Sequence, residues 1–196
     1  KKGELKVLSS ENVYPNSLGL VYSAITYYLG WKHHCDEGII MGLAPYGNSE
    51  NKVPGTKKTY KSIFKQIIKE KGDFKYEVNP VYMDYYNQRD KWVSDHFIKI
   101  FGKKRKYNEK IKQKHKDIAA ALQERLEHVV LKQLRKAKKK FGYKNLCLAG
   151  GVSLNCSMNG KILKNKIFNK IFVTPASGDD GCAIGACYLL YKKKNQ

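Results

Sequence analysis

NLCLAGGVSLNCSMNGKIL, residues 145–163, decides how this chain is read. A short apolar run meets Gly150-Gly151 and turns at once into a segment with helical spacing that carries Asn155. The same order follows downstream. KIFVTPA (170–176) is strand-like, SGDDG (177–181) is a turn, and CAIGACYLLYK (182–192) is helical. Two apolar strands joined through a helix predict a parallel βαβ unit over about 144–192, with the strands buried on both faces.

Open α/β sheets gather ligands where strands end and helices begin. Two readings of the first turn stand side by side. A glycine pair lets backbone approach a nucleotide closely, the free amides of a helix start favour negative charge, and Asn155 can offer its amide to a ribose or phosphate oxygen. Equally, Gly150-Gly151 can be no more than a tight strand-to-helix turn. The second turn sets Asp179 and Asp180 between Gly178 and Gly181. A carboxylate before a helix suits the helix dipole, a role that fits Asp180. A second acid in the same cleft, Asp179, can hold a divalent metal beside phosphates. Both turns leave one edge of one sheet, so they are expected to face one site.

Upstream, Ser17 is placed to cap a helix over LGLVYSAITYYLG (18–30), which is apolar nearly all round and so expected to be buried, with Gly30 ending it. The glycine- and proline-rich MGLAPYGN (41–48) reads as an irregular loop. Thr59 to Lys71 has helical spacing in Tyr60, Ile63, Phe64, Ile67 and Ile68, FKYEV (74–78) alternates as a strand, and residues 90–101 suit a helix turning Val93, Phe97 and Ile100 inward. Residues from about 80 to 108 are polar and tyrosine-rich. The longest helix is expected over His115–Lys140, with the stripe Ile118, Leu122, Leu126, Val130, Leu134 and Ala137, stopped at Phe141-Gly142.

At 196 residues and 42% hydrophobic content the chain is long and apolar enough for a globular domain. No run approaches the roughly 18 apolar residues of a membrane helix, and the opening KKGELKVLSSENVYP has no signal-peptide pattern. The five cysteines, Cys35, Cys147, Cys156, Cys182 and Cys187, form no CxxC pair, which points to reduced thiols and a cytoplasmic setting rather than zinc. A formal charge of +21 fits either a solvated lysine surface or a phosphate-rich partner. The lysines are spread widely, and no arginine-aromatic recognition motif accompanies them.

Three blocks in order carry a family resemblance: NSLGLVYSAITYYLG (16–30) with EGIIMGLAPYG (37–47), then KDIAAALQERLE (116–127), then AGGVSLNCSMNGKIL (149–163) with IFVTPASGDDGCAIGAC (171–187). Together they resemble the O-carbamoyltransferases related to nodulation and antibiotic-tailoring enzymes. Their N-terminal domain is similar to the tRNA threonylcarbamoyl-transferase domain. The resemblance implies an α/β fold, an actin-like ATPase (ribonuclease H-like) lobe with a mixed sheet flanked by helices. Residues 1–196 would be part of that domain, with a helical or irregular insertion at about 50–108. It further implies ATP and carbamoyl phosphate as co-substrates, carbamoyladenylate as intermediate, a sugar or small-molecule hydroxyl as acceptor, a YrdC-like domain in the parent chain, and a divalent metal, iron in this family. Gly150, Gly151, Val152 and Asn155 would line the nucleotide. Gly178, Asp180 and Gly181 would shape the second loop, and Asp179 would bind the metal.

The chain departs from the family pattern in three respects. No two of His33, His34, His96, His115 and His128 have the HxxxH spacing of the family's metal-binding histidines, and the phosphate-binding hairpin and YrdC-like stretch are absent too. The adjacent His33-His34 pair reads as an exposed polar loop, and no catalytic residue is assignable. The chain is therefore expected to be the later portion of the actin-like domain, inactive in isolation. Two other functions remain in view: a tRNA-directed threonylcarbamoyl transferase, and a basic non-catalytic nucleic-acid-binding module. Nucleic acid is the less expected partner, and no membrane partner is expected.

Overall fold

The computed structural model describes residues 6–10, 13–72, 74–87 and 90–194; the remainder of the opening segment, at 1–5 and 11–12, lies outside them. Helix α1 (Leu18–Tyr28) begins where Ser17 Oγ accepts the Leu20 N–H at 3.2 Å, as its sequence predicts. Its Val21, Ala24 and Ile25 are completely buried. The helix ends at Gly30, whose φ of 90° favours glycine, and a Cβ there would sit 2.6 Å from the Arg105 carbonyl oxygen. Arg105 is itself buried. Its Nε donates to Leu29 O at 2.5 Å, so a guanidinium satisfies a carbonyl that the end of α1 leaves open.

Helix α2 (Glu37–Leu43) runs into a short 3-10 turn, Ala44–Tyr46. MGLAPYGN is thus largely helical rather than irregular, because Ile40 and Ala44 bury their side chains in the core. Gly47 meets the backbone of Lys116 so closely that a Cβ would run into its carbonyl group. Helix α3 (Tyr60–Ile67) passes directly into strand β1 (Ile68–Glu70), which pairs antiparallel with β2 (Tyr76–Val78), Ile68 opposite Val78. The expected helix to Lys71 stops short for that reason. Helix α4 (Asp95–Phe101) starts later than expected, because Val93 bridges to Met83 and Ser94 Oγ accepts the Phe97 N–H at 3.1 Å. The whole stretch contributes Val53, Tyr60, Phe64, Ile67, Met83 and Phe97 to the one core.

Helix α5 (Gln113–Phe141) is the axis of the molecule. Ile118, Leu122 and Leu126 are buried as its stripe predicts, and Gly142, at φ 70°, ends it after Lys138, Lys139 and Lys140. Its buried polar groups tie down other segments. Asp117 accepts from the Asn48 N–H at 2.8 Å and from Asn51 Nδ2 at 2.9 Å. Arg125 donates to Ile68 O at 2.9 and 2.6 Å and to Glu70 Oε1 at 2.8 Å. Burial raises the Glu70 pKa, but Lys132 and Arg125 outweigh it and hold the carboxyl down at about 2.

The chain then forms β3 (Asn145–Leu148), a 3-10 turn (Gly151–Leu154), α6 (Cys156–Lys164), β4 (Lys170–Val173) and α7 (Gly181–Lys194). Strands β3 and β4 are parallel, with Leu148 opposite Val173, so the predicted βαβ unit is present. Two expectations need correcting. Among the described residues there is no single mixed sheet but two separate pairs, one antiparallel and one parallel. Nor are β3 and β4 buried on both faces. Leu146, Leu148 and Ile171 pack inward, while Cys147 and Phe172 are exposed. A parallel pair is buried on both sides only when something covers both, and α7 has no buried residue here.

Candidate functional site

The two glycine-bearing turns meet. The Gly150 N–H donates to Ser177 O at 2.7 Å, which ties the start of the first loop to the second. Gly150 adopts φ 96° and ψ 154°, a backbone region kept almost wholly for glycine, and its carbonyl accepts from Ser153 N–H at 2.9 Å and Ser153 Oγ at 2.6 Å. Gly181 is required for another reason, since a Cβ would run into the Ala176 carbonyl. Gly178 would bring a Cβ to 3.1 Å from Asp180 Oδ1. Gly151 differs from all three. It needs no positive φ, and a Cβ there would meet no described atom within 4 Å.

The loops form one side of a cleft of about 620 Å³. Gly151, Val152, Asn155, Gly178 and Asp179 line it. Gly150, Asp180 and Gly181 are not among its lining residues. The facing wall comes from α1 and α2, with Tyr22, Ser23, Glu37 and Met41, and from His34 in the connection between them; Leu126 of α5 contributes as well. Close approach of the two sides is visible at Gly19, where a Cβ would lie 3.4 Å from Val152 Cγ2.

Asn155 lies at the N-cap of α6 rather than within the helix itself. Its Oδ1 accepts the Met158 N–H at 2.9 Å and Gln123 Nε2 at 2.9 Å, while its Nδ2 donates to Gln123 Oε1 at 2.9 Å. Gln123 also accepts from the Tyr22 hydroxyl at 2.9 Å and donates to Glu127 Oε1 at 2.8 Å. The buried Glu127 carboxylate takes Ser157 Oγ at 2.7 Å and pairs with Lys161. Burial, reinforced by the Glu127 charge, pushes the Tyr22 phenol well above its ordinary pKa, so it stays a protonated donor. Across the cleft, Glu37 Oε1 accepts from Ser23 Oγ and from the His34 N–H, each at 2.6 Å.

The histidine pair is less uniform than an exposed loop. His34 is exposed at φ 59°, whereas His33 is half-buried, its ring 4.3 Å from that of Trp92. Burial and neighbouring His34 depress the His33 pKa. Among the described residues no three of His, Cys, Asp and Glu converge as a metal site would require, so Asp179 alone does not make a metal centre. All five cysteines are free and exposed.

Sequence reading found the loops and missed the wall opposite. Glu37 and Gln123 lie inside two of the blocks that carry the family resemblance. The available signal was a polar pair, Gln123 and Glu127, four residues apart on the apolar side of a helix, together with Ser23 within an all-apolar one.

A family profile described as "Carbamoyltransferase N-terminus" matches residues 1–188, and the chain belongs to that family. It is 40% identical over 179 residues to an uncharacterized protein of Synechocystis sp., covering 91% of this chain and 28% of that one. It is also similar to the nodulation protein NolO of Bradyrhizobium diazoefficiens, 37% identical over 89% of this chain and 28% of that protein. A third relative is the nodulation protein NolNO of Sinorhizobium fredii, 36% identical over 92% of this chain and 24% of that protein. The chain thus spans about a quarter of the length of these relatives. Among the described residues no helix is long and apolar enough to cross a membrane.

Proposed function

We propose that this chain is part of the actin-like N-terminal domain of an O-carbamoyltransferase and that its cleft takes the nucleotide of the reaction. ATP enters as co-substrate with carbamoyl phosphate, carbamoyladenylate is the activated intermediate, and the carbamoyl group passes to a hydroxyl of a sugar or other small molecule. A YrdC-like domain of the parent chain makes the adenylate.

The observation that carries this reading is Gly151. Neither backbone strain nor a neighbouring atom requires glycine there, yet it faces a cleft large enough for a nucleotide. A bare position with open space before it suits a ligand that lies against the backbone. The amides opening the 3-10 turn at Gly151 and helix α6 provide donors for phosphate oxygens. Transfer of a carbamoyl group develops negative charge on its carbonyl oxygen and on the departing phosphate, and fixed donors in a cleft stabilise such charge without reorganising.

Asp179 lines the same cleft and is exposed, as a metal ligand beside a phosphate would be. It would supply one ligand, the others coming from outside this set of residues. The metal, iron by family resemblance, would polarise the reacting oxygens.

The test is calorimetric titration of the full-length protein with ATP, with and without Fe²⁺. Gly151→Trp should remove one binding component while leaving the fold intact, since its side chain enters open cleft. Nucleotide binding unchanged by that substitution overturns the reading. Asp179→Ala should abolish the metal dependence of nucleotide binding in the same titration, and unchanged dependence removes Asp179 from the metal site.

A further inference from the structure

We infer that Gln123, held by Glu127, is a positioning residue that sets the carboxamide of Asn155 and the hydroxyl of Tyr22 at the cleft wall; this deepens the nucleotide reading and rests on it. A glutamine amide has two N–H donors and an oxygen with two lone pairs. In Gln123 all four are used. Nε2 donates to Glu127 Oε1 at 2.8 Å and Asn155 Oδ1 at 2.9 Å, and Oε1 accepts from Tyr22 at 2.9 Å and Asn155 Nδ2 at 2.9 Å. No alternative orientation satisfies these partners. Turning the amide over would set its oxygen against the Glu127 carboxylate and the Asn155 oxygen, leaving acceptors facing acceptors in a buried site.

Asn155 is fixed from both ends in the same way. Its oxygen is committed to the Met158 N–H, the cap of α6, so its nitrogen must face Gln123. Both Asn155 and Tyr22 line the cleft, whereas Gln123 and Glu127 do not. Gln123 therefore acts on a ligand only through the two side chains it orients. The chain of control starts at Glu127, whose buried carboxylate is anchored by Ser157 and Lys161 of α6. One helix, α5, thereby sets the direction of a donor carried by a loop 32 residues away in sequence.

The experiment is a double-mutant cycle on the full-length protein, reading the ATP component that Gly151→Trp removes. Gln123→Met keeps length and volume but loses all four hydrogen bonds. Asn155→Ser keeps a helix cap but loses the carboxamide. Each single change should weaken that component about tenfold, and the double variant should lose no more than either single one. Losses that multiply in the double variant, or an unchanged affinity in Gln123→Met, overturn the inference while leaving the nucleotide reading intact. A wild-type protein with no such ATP component overturns the nucleotide reading, and the inference with it.

Gln123→Glu gives a second measurement should the methionine variant misfold. Its new carboxyl meets that of Glu127, and among the described residues the other titratable groups in this network are Tyr22 of α1, Lys161 of α6 and Glu37 of α2, whose charge reaches Tyr22. The loss in affinity should be largest at pH 8 and shrink toward pH 5.5 relative to wild type, as the facing carboxyls share a proton and one regains a donor. A loss independent of pH overturns the positioning role and leaves Gln123 a packing residue.

Discussion

Helices α1 and α7 have much in common as sequences. Each carries apolar residues on nearly every side, with small residues among them, and neither shows a clean polar face. Their surroundings differ completely. Val21, Ala24 and Ile25 of α1 are at 0% exposure, whereas Ile184, Tyr188, Leu189, Leu190 and Tyr191 of α7 lie between 47% and 71%. An all-round apolar pattern says that a helix is suited to burial, and says nothing about what buries it. For α1 that work is done by segments distant in sequence, α5 among them. The βαβ unit, by contrast, presses only one side of itself onto the helical body.

The sharpest way to break this contrast is to truncate matched residues on the two sides. Ile25→Ala in the body should cost about 2–5 kcal/mol in denaturant unfolding, because the cavity it leaves cannot collapse freely. A cost below about 1 kcal/mol would mean that the body is no better packed than the βαβ unit.

A second probe is acid. Burial, helped by Lys114 and Arg105, lowers the His115 pKa to about 4, and its Nδ1 accepts the Lys112 N–H at 3.0 Å. In the unfolded chain the same imidazole titrates near 6.5, so the unfolded state binds the proton first as pH falls. Its contribution is complete above about pH 6.5 and declines toward pH 4, by an amount on the order of 2–3 kcal/mol. His115→Gln should flatten that part of the stability profile. A wild-type slope that persists in the variant places the acid sensitivity elsewhere.

Within the βαβ unit the two adjacent glycines should separate cleanly. Gly150→Ala forces an L side chain into φ 96° and should cost about 1–3 kcal/mol, while Gly151→Ala should leave the thermal midpoint within a degree or two. Equal costs would mean that both glycines serve the turn and that the open space at Gly151 has no role. The smallest effect is expected on α7. Leu190→Ser should change stability by less than about 0.5 kcal/mol in this chain, and a larger loss would show that the exposed helix is buried in solution.

Much of the body was legible in the sequence, because its signals are local. Ser17, Gly30 and Gly142 mark helix ends through their own backbone chemistry, and the Ile118–Leu122–Leu126 stripe reports its buried face directly. The β3 and β4 strands and their turns were legible for the same reason. Ile68 was not. It continues a helical spacing, and only its pairing with Val78 makes it a strand. The loops of the cleft were visible as glycine clusters, but the wall that faces them was not. Gln123 looks like a polar interruption of a stripe until Asn155, Tyr22 and Glu127 are brought to it by the fold.

The clasp between the MGLAPYGN segment and α5 has a mechanical consequence. Gly47 lies against the backbone of Lys116, and Asp117 grips Asn48 and Asn51, so α2 with its Glu37 cannot slide along α5 without breaking these partly buried hydrogen bonds. That side of the cleft behaves as a fixed jaw. The opposite jaw, the βαβ unit, is joined to the body by side chains instead, through the Gln123–Asn155 and Glu127–Lys161 contacts and the burial of Met158 and Ile162, so the two sides of the cleft are braced in different ways.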